Sequence, residues 1–263
     1  MDKIMIIILA IAGFLASVLL NVIIRRLIAG VRSREDYDED VDGTMSKAEK
    51  KASEEAKVLE AEKKNIGLKA VWNESPAKFS VVMILGTVIG GLAGFRFGFS
   101  LNAIIYFLLF MILIIIAFVD LATMEIPPVL NYIILGLGII SIFTDKDVTI
   151  LQRLIGLVCI SGFMLIVTLI VKGAFGGGDI KLMAAAGFLM GWKGILTAYL
   201  FGLFLGAAIG IILMVRRKKG GKEHMPFGPS LCMGIVAASV FGAQLIDWYI
   251  NVIKLSMPNT YPQ

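Results

Sequence analysis

The chain is poor in the residues on which most soluble enzymes rely. It holds two cysteines and one histidine in 263 residues. Cys159 and Cys232 lie far apart inside apolar runs, and neither belongs to a C-x-x-C pair. Zinc-ribbon spacing and a disulfide framework are thereby excluded, and both read as small buried hydrophobes. His224 stands in a polar loop without a serine or cysteine arranged beside it, which removes a histidine-activated nucleophile. Charged residues are also sparse, at 17% of the chain.

What fills the sequence instead is hydrocarbon. Hydrophobic residues make up 58% of the chain and the mean hydropathy is +0.86. A soluble domain has an apolar share of about 45–50% even with glycine counted. The net charge of +5 comes from basic residues in loops that flank apolar runs. No aromatic-basic surface module accompanies them, so positive-inside topology explains the charge and no nucleic-acid partner is expected.

Apolar runs over residues 4–24, 79–98, 101–119, 127–143, 151–171, 195–215 and 229–250, with a shorter one at 182–190, imply an all-α, polytopic integral membrane protein of about eight segments. The first run is too long for a signal peptide, and its basic cluster, Arg25-Arg26, follows it instead of preceding it. It reads as a retained span. Arg25-Arg26 and Arg216-Arg217-Lys218-Lys219 place their ends on the cytoplasmic side, which leaves both termini outside. The glycines at 86, 90, 91 and 94 offer a face for close helix packing, and Ala184–Gly187 another beside the loop before it.

Two carboxylates end apolar runs on that same side. Asp120 closes the run 101–119, and Asp179 follows 151–171 within Gly176-Gly177-Gly178-Asp179-Ile180-Lys181. An ionisable residue at membrane depth is expensive and marks a functional site by default. About 60 residues separate the two, enough for two passes of roughly 20 residues each. The glycines permit positive φ and close approach of another chain. Two close carboxylates share a proton: one activates water as a general base, and the other, protonated, polarises a carbonyl. Cation or proton transport on the same carboxylates is the rival reading, and a non-enzymatic assembly scaffold is a third.

The N-terminal Leu19–Leu27 stretch with its Asn-Val-Ile-Ile-Arg core, the Asp120 segment with Ile126-Pro127, the G-x-G-D element at Gly176–Asp179 running into Ile180-Lys181-Leu182, and the Pro226-Phe227-Gly228-Pro229 turn occur in that order. Together they resemble the bacterial type IV prepilin peptidases, a G-x-G-D family of intramembrane aspartyl proteases. The resemblance implies Asp120 and Asp179 as the catalytic pair. Gly176, Gly178, Lys181, Asn21, Arg26, Pro226, Gly228 and Pro229 are implied as supporting or substrate-binding residues. It implies no metal and no cofactor for peptide cleavage, type IV prepilin or pseudopilin precursors as partners in the lipid phase, and an active site facing the cytoplasm in the inner membrane.

Several roles stay open. Asn21 orients backbone or substrate, or simply makes an interhelical hydrogen bond. Lys181 tunes the pair or anchors to lipid phosphate. The turn at 226–229 lines a substrate channel or sets the angle of the last helix. Glu125 is expected to cap the helix opening at Pro127.

One part departs from the family. Many members carry two zinc-binding C-x-x-C pairs in the cytoplasmic region after the first span, and those with that domain also methylate the new N-terminus from S-adenosylmethionine. Here residues 31–78 are a charged insert without cysteine, with an acidic run at 35–40 expected to be loose and a helix-prone stretch at 46–64. The expected organisation is a first span at 1–30, this insert at 31–78 and a peptidase core at 79–263. S-adenosylmethionine belongs to the scheme only where methyl transfer is retained.

Overall fold

The structure, a computed structural model, describes residues 2–40, 76–98, 100–171, 173–216 and 226–256. Most of the charged insert, Arg217–Lys219 of the second basic cluster, His224 and the polar tail therefore lie outside the described residues. Every regular element described is a helix: α1 (Asp2–Asp40), α2 (Pro76–Phe97), α3 (Leu101–Thr123), α4 (Pro128–Thr144), α5 (Ile150–Ile170), α6 (Gly177–Arg216) and α7 (Gly228–Ser256). Five, α1, α2, α3, α5 and α6, are long and apolar enough to cross a membrane. The helix α4 and the Gly228–Gly242 part of α7 are apolar but shorter.

Helix ends follow local chemistry. Ser100 Oγ accepts from the Ala103 amide at 3.2 Å to open α3. Thr149 and Gln152 form a reciprocal capping box at the start of α5. The helix α3 closes on Met124, left-handed at φ 54°, whose N–H returns to the Asp120 carbonyl at 2.8 Å. Proline opens α4 with no side-chain cap, so Glu125, which is exposed, does not play the capping role expected of it. The N-cap position is held by Pro127, which has no side-chain oxygen to accept from the first amides of the helix. The acidic run is not loose either, because α1 continues through it to Asp40 with no proline or glycine after Gly30 to stop it.

Glycines set how the helices meet. The helices α1 and α2 run antiparallel in backbone contact, with Gly86 and Gly90 against Gly13 and Leu9, and Gly94 against Ile6, 2.8 Å from where a Cβ would stand. The small-residue face expected on α2 is thus buried on α1. The central helix is α3, which touches α1, α2, α4 and α7. It is 67% buried along its span, against 22–33% for the other long helices, whose apolar side chains face outward.

One element changes direction. At Gly191 the backbone leaves helical geometry (φ 73°, ψ 172°), a conformation only glycine takes without strain. Residues 177–190 run away from the Asp120 end of the bundle until Leu189 and Phe188 lie on Gly138, and residues 192–216 come back until Gly202 and Gly206 lie on Ser230 and Phe227. The first arm, at about 20 Å by helical rise, is short for a membrane crossing. Gly187 does pack tightly, as expected of its run, but on Gly156 of α5, far from the loop at 173–176.

Arg153 sits at this reversal, 0% exposed within α5. Its guanidinium donates to the carbonyls of Ser141 (3.1 Å), Asp145 (3.2 Å), Leu189 (2.9 Å), Phe188 (3.4 Å) and Val148 (3.3 Å), and to Ser141 Oγ at 2.5 Å. The carbonyl ends of α4 and of the first α6 arm, both negative, solvate the buried cation.

Candidate active site

Five chain ends converge opposite that reversal: the C-termini of α3 and α5 and the N-termini of α4, α6 and α7. Asp120 lies in the last turn of α3, at 5% exposure, and Asp179 in the first turn of α6, at 7%. The two carboxylates are close enough for the charge of Asp120 to act on Asp179, and both act on Cys232, one turn into α7. The fold therefore brings the two expected carboxylates to one place.

Each carboxylate rests on glycine backbone. Gly228 donates its N–H to Asp120 Oδ2 at 3.1 Å, and the space for a Cβ at Gly228 is already filled by that oxygen, 2.6 Å away. The Gly176 amide faces Asp179, and a Cβ at Gly176 would stand 3.2 Å from Asp179 Oδ2. The other oxygen, Asp179 Oδ1, is buried and no donor among the described residues reaches it. One acceptor of the pair is thus held in place and another is free for chemistry.

The loops that carry these glycines are tied together. Phe175 and Phe227 meet with ring centroids 5.7 Å apart, and Phe227 also covers Gly206 on the returning arm of α6. Ile126 fills the space beside Gly178, 2.8 Å from a Cβ there. Asn131 of α4 donates to the Gly178 carbonyl at 3.3 Å. The stretch that follows Asp120 in sequence therefore grips the residue that precedes Asp179.

The remaining expected residues divide. Gly176, Gly178 and Gly228 touch the pair or its backbone, and Pro226 and Pro229 flank them, half-buried. The turn at 226–229 thus does a third thing beyond the two expected of it, since it supplies the amide that holds Asp120. Lys181 is exposed on α6, and Arg26 is exposed on α1 at the same end of the bundle. Asn21 is buried, and its amide donates to the Ser17 carbonyl at 2.8 Å, one turn back on its own helix. That bond lies within α1 and is not an interhelical one. Arg96, at the other end of the bundle, lies half-buried with its guanidinium 5.5 Å from the Phe97 ring.

Two residues escaped the sequence reading. Asn131 gave no signal beyond being a polar residue near an apolar helix start. Arg153 did: it is a lone cation inside the run 151–171, which the rule for intramembrane charge would have flagged.

The chain is similar to proteins of one family. The model of the type IV leader peptidase family matches residues 107–211, which contain both Asp120 and Asp179. A Legionella pneumophila protein named prepilin leader peptidase/N-methyltransferase is 31% identical over 66% of this chain and 62% of its own length. Proteins of the same name from Bacillus subtilis (30% identical; 61% of this chain, 64% of theirs) and Pseudomonas aeruginosa (27%; 66% and 62%) are also similar. The chain spans under two thirds of the length of these relatives. No solved structure matches it.

Proposed function

We propose that this integral membrane protein, whose residues 107–211 match the type IV leader peptidase family, is an aspartic endopeptidase that removes the leader of type IV prepilins and pilin-like precursors. The observation that carries the reading is the convergence of Asp120 and Asp179, buried together at the end of a helical bundle on glycine-lined backbone. A transporter site would need partners for a cation along a path through the bundle, whereas these carboxylates sit at its end, held by glycine backbone.

The chemistry follows from one proton shared by two carboxylates. The ionised member takes a proton from water as it attacks the scissile carbonyl, and the protonated member donates to that carbonyl oxygen. Collapse of the tetrahedral intermediate returns a proton to the leaving amine. Gly228 keeps Asp120 from turning away, and Asp179 Oδ1 remains available to water or substrate. Absence of a side chain at Gly177, where nothing lies within 4 Å of a Cβ, leaves an extended peptide room beside the pair.

Orientation comes from charge. Arg25 and Arg26 of α1 and Arg216 of α6 end on the same side as the pair, so the site faces the cytoplasm across the inner membrane, with residues 79–263 as the peptidase core. The relatives' names include an N-methyltransferase, which implies S-adenosylmethionine. The residues here do not fit the zinc-type domain the resemblance associates with it: Cys159 is exposed on α5, Cys232 is buried on α7, and residues 31–78 hold no cysteine. No methyl-transfer step enters the mechanism.

The test is cleavage of a membrane-embedded prepilin by purified wild type, Asp120→Asn and Asp179→Asn, read as the mass of the mature chain. Wild type releases it and both variants, still folded, do not. A variant that cuts at the wild-type rate removes the dyad. A product heavier by one methyl group would add the second activity.

A further inference from the structure

Asn131 stands in the first turns of α4 with 4% of its surface exposed, and the fold uses only half of its carboxamide. Nδ2 donates to the Gly178 carbonyl, 3.3 Å away and 47 residues on in sequence. A carbonyl can only accept, so this bond fixes which way the amide points and turns Oδ1 to the other side. There the oxygen is buried, and no donor among the described residues reaches it.

A buried oxygen without a donor opposes folding and needs a reason. Helix formation supplies none, because Asn is a poor residue for a helix interior and leucine, with the same number of side-chain heavy atoms, is a better one. Packing against the start of α6 supplies none either, since Ile126, just before α4, already packs on Gly178. What asparagine adds at this position is a grip on one peptide group and an unused acceptor. Among the described residues, the other buried oxygen without a donor at this end of the bundle is Asp179 Oδ1.

The gripped peptide matters because of its neighbour. The carbonyl of Gly178 and the nitrogen and Cα of Asp179 share one rigid plane. Rotating that plane moves the Asp179 carboxylate relative to Asp120, and small misplacements of catalytic groups cost rate steeply.

We propose that Asn131 is a positioning residue of the peptidase. Its N–H locks the Gly178–Asp179 peptide so that Asp179 meets Asp120, and its oxygen accepts from a donor that arrives with the reaction, the attacking water or a substrate peptide N–H. This rests on the aspartic-peptidase reading above.

The experiment measures kcat and KM for wild type, Asn131→Leu, Asn131→Thr and Asp179→Asn on a membrane-embedded prepilin, with thermal unfolding of each in detergent. Asn131→Leu removes donor and acceptor while keeping the branching and heavy-atom count of the side chain, and its kcat falls about 10- to 100-fold while its unfolding midpoint holds. Asn131→Thr keeps an O–H donor and an acceptor and recovers part of the loss. An unchanged KM assigns the oxygen to water, and a KM that rises together with the fall in kcat assigns it to a substrate N–H. Wild-type kcat in Asn131→Leu, with or without a raised KM, overturns the proposal. So does a loss in both variants that only follows loss of folded protein. An inactive wild type, or an Asp179→Asn variant that cuts normally, is a different failure, that of the peptidase reading itself.

Discussion

The amide of Gly228 and the carboxylate of Asp120 are joined by a 3.1 Å hydrogen bond across 108 residues of sequence. Through it the last helix holds a side chain of the central one. The bond forms because residue 228 has no side chain: the position of its missing Cβ lies 2.6 Å from Asp120 Oδ2 and 2.9 Å from Cγ, closer than real carbon contacts come.

Gly228→Ala therefore drives Asp120 off its amide. The variant should remain in the membrane fraction and unfold near the wild-type temperature, with cleavage reduced about 10- to 100-fold. Gly136→Ala, where nothing lies within 4 Å of the added carbon, is the control and should cut at the wild-type rate. Equal rates in the two variants would show that the amide does not set the geometry of Asp120.

Arg153 predicts the opposite pattern, a large effect on stability from a residue remote from the pair. Arg153→Met leaves carbonyls of α4 and α6 without their donor, and each buried orphan costs about 1–3 kcal/mol. The sum over several acceptors should exceed about 3 kcal/mol in denaturant or thermal unfolding. Arg153→Lys should recover only a minor part, since one ammonium cannot reach acceptors on two helix ends as the guanidinium fork does. Unfolding of Arg153→Met at the wild-type midpoint would contradict this account of the reversal at Gly191.

Hydrolysis by two carboxylates contains no metal step, so excess EDTA should leave the cleavage rate of the purified protein unchanged. Loss of activity in chelator, restored by a divalent ion, would move the chemistry away from the aspartates.

Much of this was legible without coordinates. The composition required a helical membrane protein, because only helices satisfy their own backbone within short apolar segments. Asp120 and Asp179 were legible as a pair because an ionisable residue at the end of an apolar run is conspicuous, and the lengths between them return both to one face. The glycines at 86, 90 and 94 announced a close helix contact, though not that α1 was the partner.

Other features were decided by tertiary contact alone. Nothing local in Pro226–Pro229 says that its amide reaches Asp120, and nothing in Asn131 says that it holds Gly178, since both bonds depend on which helix ends the fold brings together. The sequence divides the apolar stretch near Gly191, between the runs 182–190 and 195–215, but the division becomes a joint only when Arg153 and the carbonyl ends of two helices surround it. Hydropathy and charge act residue by residue and can be summed along a chain. Hydrogen bonds between distant backbone groups exist only after the helices have packed, and those bonds orient the pair of aspartates.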